Sequence, residues 1–64
     1  MIKVNGEEVN VSDITVSEYL GRTNYDIKRI AVEKNGEIIP KSQYDNTVLK
    51  DGDTIEIVSF VGGG

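Results

Sequence analysis

Cysteine and histidine are both absent from this chain of 64 residues, and each absence removes a class of chemistry. Without cysteine there are no disulfide staples and no thiolate metal sites, and any sulfur handled here cannot sit on a side-chain thiol. Without histidine the usual general base and the usual transition-metal ligand are missing, so catalysis by side chains is not expected and no metal site is assigned. Cationic residues are outnumbered, 7 Lys and Arg against 11 Asp and Glu, for a formal net charge of -4. That balance repels a phosphate backbone, whose affinity for proteins comes largely from Lys and Arg displacing counterions. No nucleic acid is therefore expected as a partner, and a basic protein surface fits better. No apolar run approaches the ~20 residues that span a bilayer, so no membrane role is expected. The opening Met1-Ile2-Lys3-Val4 reads as a strand and lacks the features of a signal peptide, which makes the cytoplasm the expected location. A chain this short has room for one small core and none for an enclosed pocket.

What the chain does have is an unusual end. Ser59-Phe60-Val61 runs straight into Gly62-Gly63-Gly64. Glycine lacks a Cβ, so such a tail can be threaded into spaces that any side chain would block. At ~3.3 to 3.6 Å per extended residue, three glycines could carry the terminal carboxylate roughly 10 Å from a folded body. The expected organisation is a domain over residues 1–61 and a glycine tail over 62–64, with the Gly64 carboxylate as the reacting group. An inert glycine end is the plainer alternative.

Ile2 and Val4, then Val9 and Val11, alternate on either side of Asn5-Gly6, a dipeptide suited to the two positive φ angles of a type I′ turn; this predicts a β-hairpin over residues 1–12. Thr15-Val16-Ser17-Glu18 has the form of a capping box and starts a short helix with Val16 and Leu20 as its apolar stripe. Gly21 is placed to end that helix in a left-handed conformation. Ile30 and Val32 alternate with polar neighbours in a third strand, Asn35-Gly36 is a second tight turn, and Ile38-Ile39 forms a brief edge segment ended by Pro40, which has no amide hydrogen to give a ladder. Between Lys41 and Lys50 the pattern is weak, with Tyr44 and Val48-Leu49 expected to anchor a loop or a single helical turn. Asp51-Gly52-Asp53 turns into a final strand, Thr54 to Val61.

One helix across one face of a mixed sheet is the economical way to bury so few elements. The last strand would lie parallel to the first, which the crossover permits. The predicted class is α+β, a β-grasp or ubiquitin-like arrangement with a mixed sheet of four to five strands and one short helix. If Ile55 and Ile57 point into the core, the period of two puts Glu56, Val58 and Phe60 on the opposite face, where they would form a docking surface beside the tail. Burial of Val58 and Phe60, or a bulge, is the alternative. Asp51-x-Asp53 is read as a solvated turn, since the later ligands of a calcium loop are missing.

Three stretches in order, Ile30-Ala31-Val32-Glu33-Lys34-Asn35-Gly36-Glu37-Ile38-Ile39-Pro40, Leu49-Lys50-Asp51-Gly52-Asp53-Thr54-Ile55-Glu56-Ile57 and Phe60-Val61-Gly62-Gly63-Gly64, resemble the ThiS family of sulfur carriers in thiamin biosynthesis. Val4-Asn5-Gly6-Glu7 extends the likeness to the start. The resemblance implies a β-grasp fold and a carrier that is not itself an enzyme and binds no cofactor. It further implies an E1-like adenylating enzyme that uses ATP and magnesium to activate the Gly64 carboxylate, sulfur from a cysteine desulfurase pathway that replaces AMP, and a thiocarboxylate that passes its sulfur to thiazole synthase. Gly62 and Gly63 would then keep the tail narrow inside the partner's channel, and Phe60, Val58 and Glu56 would dock outside it. The family often carries a bulky aromatic shortly after the proline; Tyr44 is the nearest candidate and is expected to pack in the core. Three other outcomes stay open: a molybdopterin-type sulfur carrier, a ubiquitin-like protein modifier, and an interaction domain with an inert tail.

Overall fold

The structure is a computed structural model and describes residues 1–60. Its strands are β1 (Ile2–Val4), β2 (Glu7–Val9), β3 (Ile14–Thr15), β4 (Ile30–Lys34), β5 (Glu37–Ile39), β6 (Val48–Leu49) and β7 (Thr54–Ser59), with one α-helix, α1 (Val16–Gly21), and single 3₁₀ turns at Ile27–Arg29 and Lys41–Gln43. Five strands form one mixed sheet in the order β2-β1-β7-β4-β5. The expected β-grasp arrangement is present, and the strand leading to the tail lies in the middle of the sheet. β7 runs parallel to β1, through Lys3↔Thr54 and Val4↔Ile55, and antiparallel to β4 over five unbroken pairs from Ile30↔Ser59 to Lys34↔Ile55. There is no bulge in that register.

Each element follows from local chemistry. Asn5 and Gly6 take φ values of 50° and 85°, and Asn35 and Gly36 take 52° and 87°, the paired positive angles of type I′ turns. The first hairpin is shorter than the sequence suggests: its ladder ends at Ile2↔Val9, short of residue 12. At the start of α1 the Thr15 hydroxyl accepts from the Glu18 amide at 3.1 Å, and Glu18 accepts from the Thr15 amide at 3.0 Å, closing the capping box. That amide holds the Glu18 carboxyl below its ordinary range.

The end of the helix corrects an expectation. Gly21 is the last helical residue and does not adopt a positive φ; Arg22 follows at φ -94° and ψ 2°. The last turn tightens instead, with Arg22 and Thr23 amides donating to the Tyr19 and Leu20 carbonyls, while the Thr23 hydroxyl donates to Leu20 O at 2.8 Å. Backbone amides and a threonine hydroxyl thus satisfy together the carbonyls that a left-handed glycine is often used to reach.

The core is Ile2, Val4, Val16, Leu20, Ile30, Val32, Tyr44, Leu49, Ile55 and Ile57, drawn from the helix, one face of the five-stranded sheet, and Tyr44 and Leu49 of the connecting segment. Each fully buried aliphatic side chain contributes about 1.5–3 kcal/mol by leaving water. Tyr44 is in this core, as expected. The segment around it holds one feature the sequence did not suggest: β6 pairs antiparallel with β3, Ile14↔Leu49 and Thr15↔Val48, as a separate two-stranded sheet at the foot of α1. Two-residue strands are too short to show a period of two, so only their tertiary pairing reveals them.

Candidate functional site

The terminal strand decides the geometry. Ile55 and Ile57 are buried, whereas Glu56, Val58 and Phe60 are exposed, with Val58 at 52% and Phe60 at 46%. The alternation expected along this strand is therefore present, and among the described residues no other element covers Val58 and Phe60. Gly62, Gly63 and Gly64, the proposed channel and reacting residues, lie outside the described residues, as do Val61 and the boundary between body and tail.

Register adds neighbours to that face. Across β4 and β7, Ala31 stands opposite Val58 and Glu33 opposite Glu56. On the next strand Ile38 stands opposite Glu33 and is 70% exposed. An apolar surface of Val58, Phe60, Ala31 and Ile38 thus surrounds two carboxylates placed directly across from each other. Like charges in that relation destabilise a sheet by a few tenths of a kcal/mol or more. Among the described residues, neither glutamate is in an ion pair. Ala31, Glu33 and Ile38 were not singled out from the sequence. Their alternation was legible, but which strand lies beside β7 is a matter of long-range pairing.

Two asparagine side chains hold the strand from opposite sides. Asn5 donates to the Ile57 carbonyl at 3.2 Å and accepts from the Ile57 amide at 2.8 Å, and its amide nitrogen also reaches the Tyr25 hydroxyl at 3.5 Å. Asn35 accepts from the Thr54 amide at 2.9 Å and donates to the Asp53 carboxylate at 3.0 Å. Burial pushes the Asp53 carboxyl up, but the Lys50 amide, the Asn35 side chain and the charges of Lys34 and Lys50 outweigh it and leave the group below its usual value of 3.8. These contacts tie β7 to the turn on either side of it.

The described residues include Asp and Glu but no His or Cys. No group of three or more His, Cys, Asp or Glu residues is arranged to hold a metal ion among them, and no helix among them is long and apolar enough to cross a membrane.

Comparison with known proteins agrees with this geometry. The chain is 41% identical, over 66 residues and 100% of both chains, to the sulfur carrier protein ThiS of Bacillus subtilis (strain 168). It superimposes on the crystal structure of the thiamine biosynthesis protein ThiS from Geobacter metallireducens with a TM-score of 0.82 and 34% identity, covering 98% of this chain and 97% of that one. It is also 50% identical over 62 residues to a thiazole synthase of Paramagnetospirillum magneticum, of whose length it spans only 19%. The model of the ThiS family matches residues 2–64. The chain belongs to the ThiS family.

Proposed function

We propose that this chain is a sulfur carrier of thiamin biosynthesis, working by the activation of its terminal glycine. It is a substrate passed between enzymes and not itself a catalyst, in keeping with the full-length likeness to sulfur carrier proteins. The observation that carries the reading is the position of β7. The middle strand of the sheet ends at Ser59, its exposed Val58 and Phe60 face outward, and only four residues separate Phe60 from the chain end.

In the proposed cycle an E1-like adenylating enzyme docks on Glu56, Val58 and Phe60 and receives Gly62, Gly63 and Gly64 in a narrow channel. A Gly64 carboxylate oxygen attacks the α-phosphorus of ATP, and pyrophosphate leaves. The partner supplies the phosphate-binding site and the magnesium, since this chain has no glycine-rich strand-to-helix loop for phosphate. Activation is required because a carboxylate oxygen is a very poor leaving group and AMP a good one. A sulfide-level sulfur nucleophile, supplied through a cysteine desulfurase pathway, then attacks the carbonyl carbon. The bond to AMP breaks and a thiocarboxylate remains at Gly64. Thiazole synthase takes that sulfur. The joining of a stretch like this one to thiazole synthases in two relatives supports that partner. All of these steps use cytoplasmic metabolites, and the cytoplasm is the proposed location.

The absence of cysteine suits this role, because an internal thiolate could capture the activated acyl group as a dead-end thioester. Intact-mass spectrometry tests the proposal. Incubation with ATP, magnesium, the adenylating enzyme and a sulfur source should exchange one oxygen for sulfur at the C-terminus. A lysine conjugate would instead make the chain a ubiquitin-like modifier, and an unchanged mass would leave it an interaction domain. Thiocarboxylate that serves a molybdopterin acceptor and not thiazole synthase would reassign the pathway. Gly64→Ala places a methyl beside the reacting carbonyl and should cut adenylation sharply.

A further inference from the structure

The pairing of β4 with β7 stacks three cross-strand pairs on the open face of the sheet, and their character changes from one end to the other. Ala31 stands opposite Val58, and Glu33 opposite Glu56. One pair past the ladder the register continues, since the Phe60 amide donates to the Arg29 carbonyl at 2.9 Å and sets Arg29 across from Phe60. Ile30 and Val32, between these positions, are buried, so the intervening side chains face out. The face therefore reads cation and aromatic, then two apolar side chains, then two carboxylates. At ~3.3 Å per residue, the four steps from Arg29 to Glu33 span about 13 Å. Further cations gather at the basic end: Lys28 precedes Arg29, and Lys41 Nζ donates to the Lys28 carbonyl at 3.3 Å. Against them stands Asp26, whose carboxylate lies 3.6 Å from Arg29 Nε, with both side chains more than half exposed. At the acidic end neither glutamate is in an ion pair among the described residues. Lys3, on the same face of β1, stands opposite Glu8 and Thr54 instead.

We propose that this gradient sets the orientation in which an enzyme partner docks, with an acidic group of the partner at Arg29, an apolar strip on Ala31, Val58 and Phe60, and a basic group at Glu33 and Glu56. The inference rests on the carrier reading above and names what fixes the docking direction. An apolar patch alone holds a partner but tolerates its rotation, because burial is non-directional. Opposite charges at the two ends remove that freedom: turned end for end, the same partner would bring like charges together. The facing glutamates cost the free sheet stability, and a partner cation between them turns that repulsion into attraction. Direction matters to a carrier whose reacting end follows Phe60 in the sequence, at one end of this face. The committed occupant is a protein surface of complementary charge. A second copy of this chain is the competing one, and with the same net charge of -4 it is repelled overall.

Binding of the full chain to the adenylating enzyme tests the gradient. Arg29→Gln and Glu56→Gln should each weaken it about threefold to tenfold and flatten its dependence on salt. Arg29→Glu combined with Glu56→Lys keeps the net charge while making the basic end acidic and cancelling the acidic end, and should weaken binding at least about thirtyfold. NMR of the isotope-labelled wild type supplies a readout that needs no variant and stands whether or not the double variant folds. On adding the enzyme, amide shifts should concentrate at Arg29, Ala31, Glu33, Glu56, Val58 and Phe60. Folded variants that bind as the wild type, or shifts centred elsewhere in a complex that forms, overturn the gradient and leave the carrier reading intact. A wild-type chain that neither binds nor is adenylated overturns both. Wild-type dimers that perturb these same amides without the enzyme would assign the face to a second copy and overturn the proposal.

Discussion

The triplet Asn-Gly-Glu occurs twice, at Asn5-Gly6-Glu7 and Asn35-Gly36-Glu37, and the two copies have the same backbone. Both asparagines sit near φ 50° and both glycines near 85°. Their side chains do different work. Asn5 stands in for a missing rung beside Ile57, in a partly buried setting on β7. Asn35 ties the exposed Lys50-Asp51-Gly52-Asp53 turn to the start of β7. Turn conformation is thus a local property of the dipeptide, whereas the use of the amide depends on what the sheet brings alongside it.

Substitutions can separate the two contributions. Asn5→Gly keeps the turn and removes both bonds to Ile57, leaving a partly buried amide and carbonyl unpaired; it should cost about 2 kcal/mol in chemical denaturation and speed exchange of the Ile57 amide. Next, Gly6→Ala and Gly36→Ala should each cost about 1–2 kcal/mol, because an L side chain is strained in the left-handed region. A Cβ at either glycine meets nothing within 4 Å, so the two losses should be equal. A clear inequality would break the claim that the turns are locally the same. Asn35→Gly should cost about 1 kcal/mol, since water can replace its exposed bonds.

The pH dependence sharpens the contrast. The Asp53 carboxyl titrates below its usual 3.8 when folded, so its stabilisation is present above that value and is lost as pH falls through the folded value. Asn35→Gly removes one of the groups that lower it. The acid-side loss of stability, read as thermal midpoints between about pH 4 and pH 2, should therefore become shallower in that variant, whereas Asn5→Gly should keep the wild-type slope. The smallest expected effect is a gain. Glu56→Gln relieves the repulsion with Glu33 across β4 and β7 and should stabilise the fold by a few tenths of a kcal/mol. The same variant should weaken docking to a basic partner surface, so stability and binding would move in opposite directions.

Much of this could be read along the chain. The capping box, both type I′ turns, the buried pair Ile55 and Ile57 and the outward Val58 and Phe60 each depend on residues within about one turn or one pleat of one another, and they formed as their types require. Gly21 shows where such reading fails. A glycine at a helix end is suited to a left-handed cap but does not compel one, and here the Arg22 and Thr23 amides, with the Thr23 hydroxyl, satisfy the last carbonyls without it.

What local chemistry left undecided was partnership between distant segments. The β3–β6 pair joins residues 14–15 to 48–49, and the facing glutamates join residue 33 to 56. A period of two states which face a side chain occupies but not which strand lies next to it. That choice belongs to the burial of all ten core residues at once, which no short stretch of sequence can decide alone.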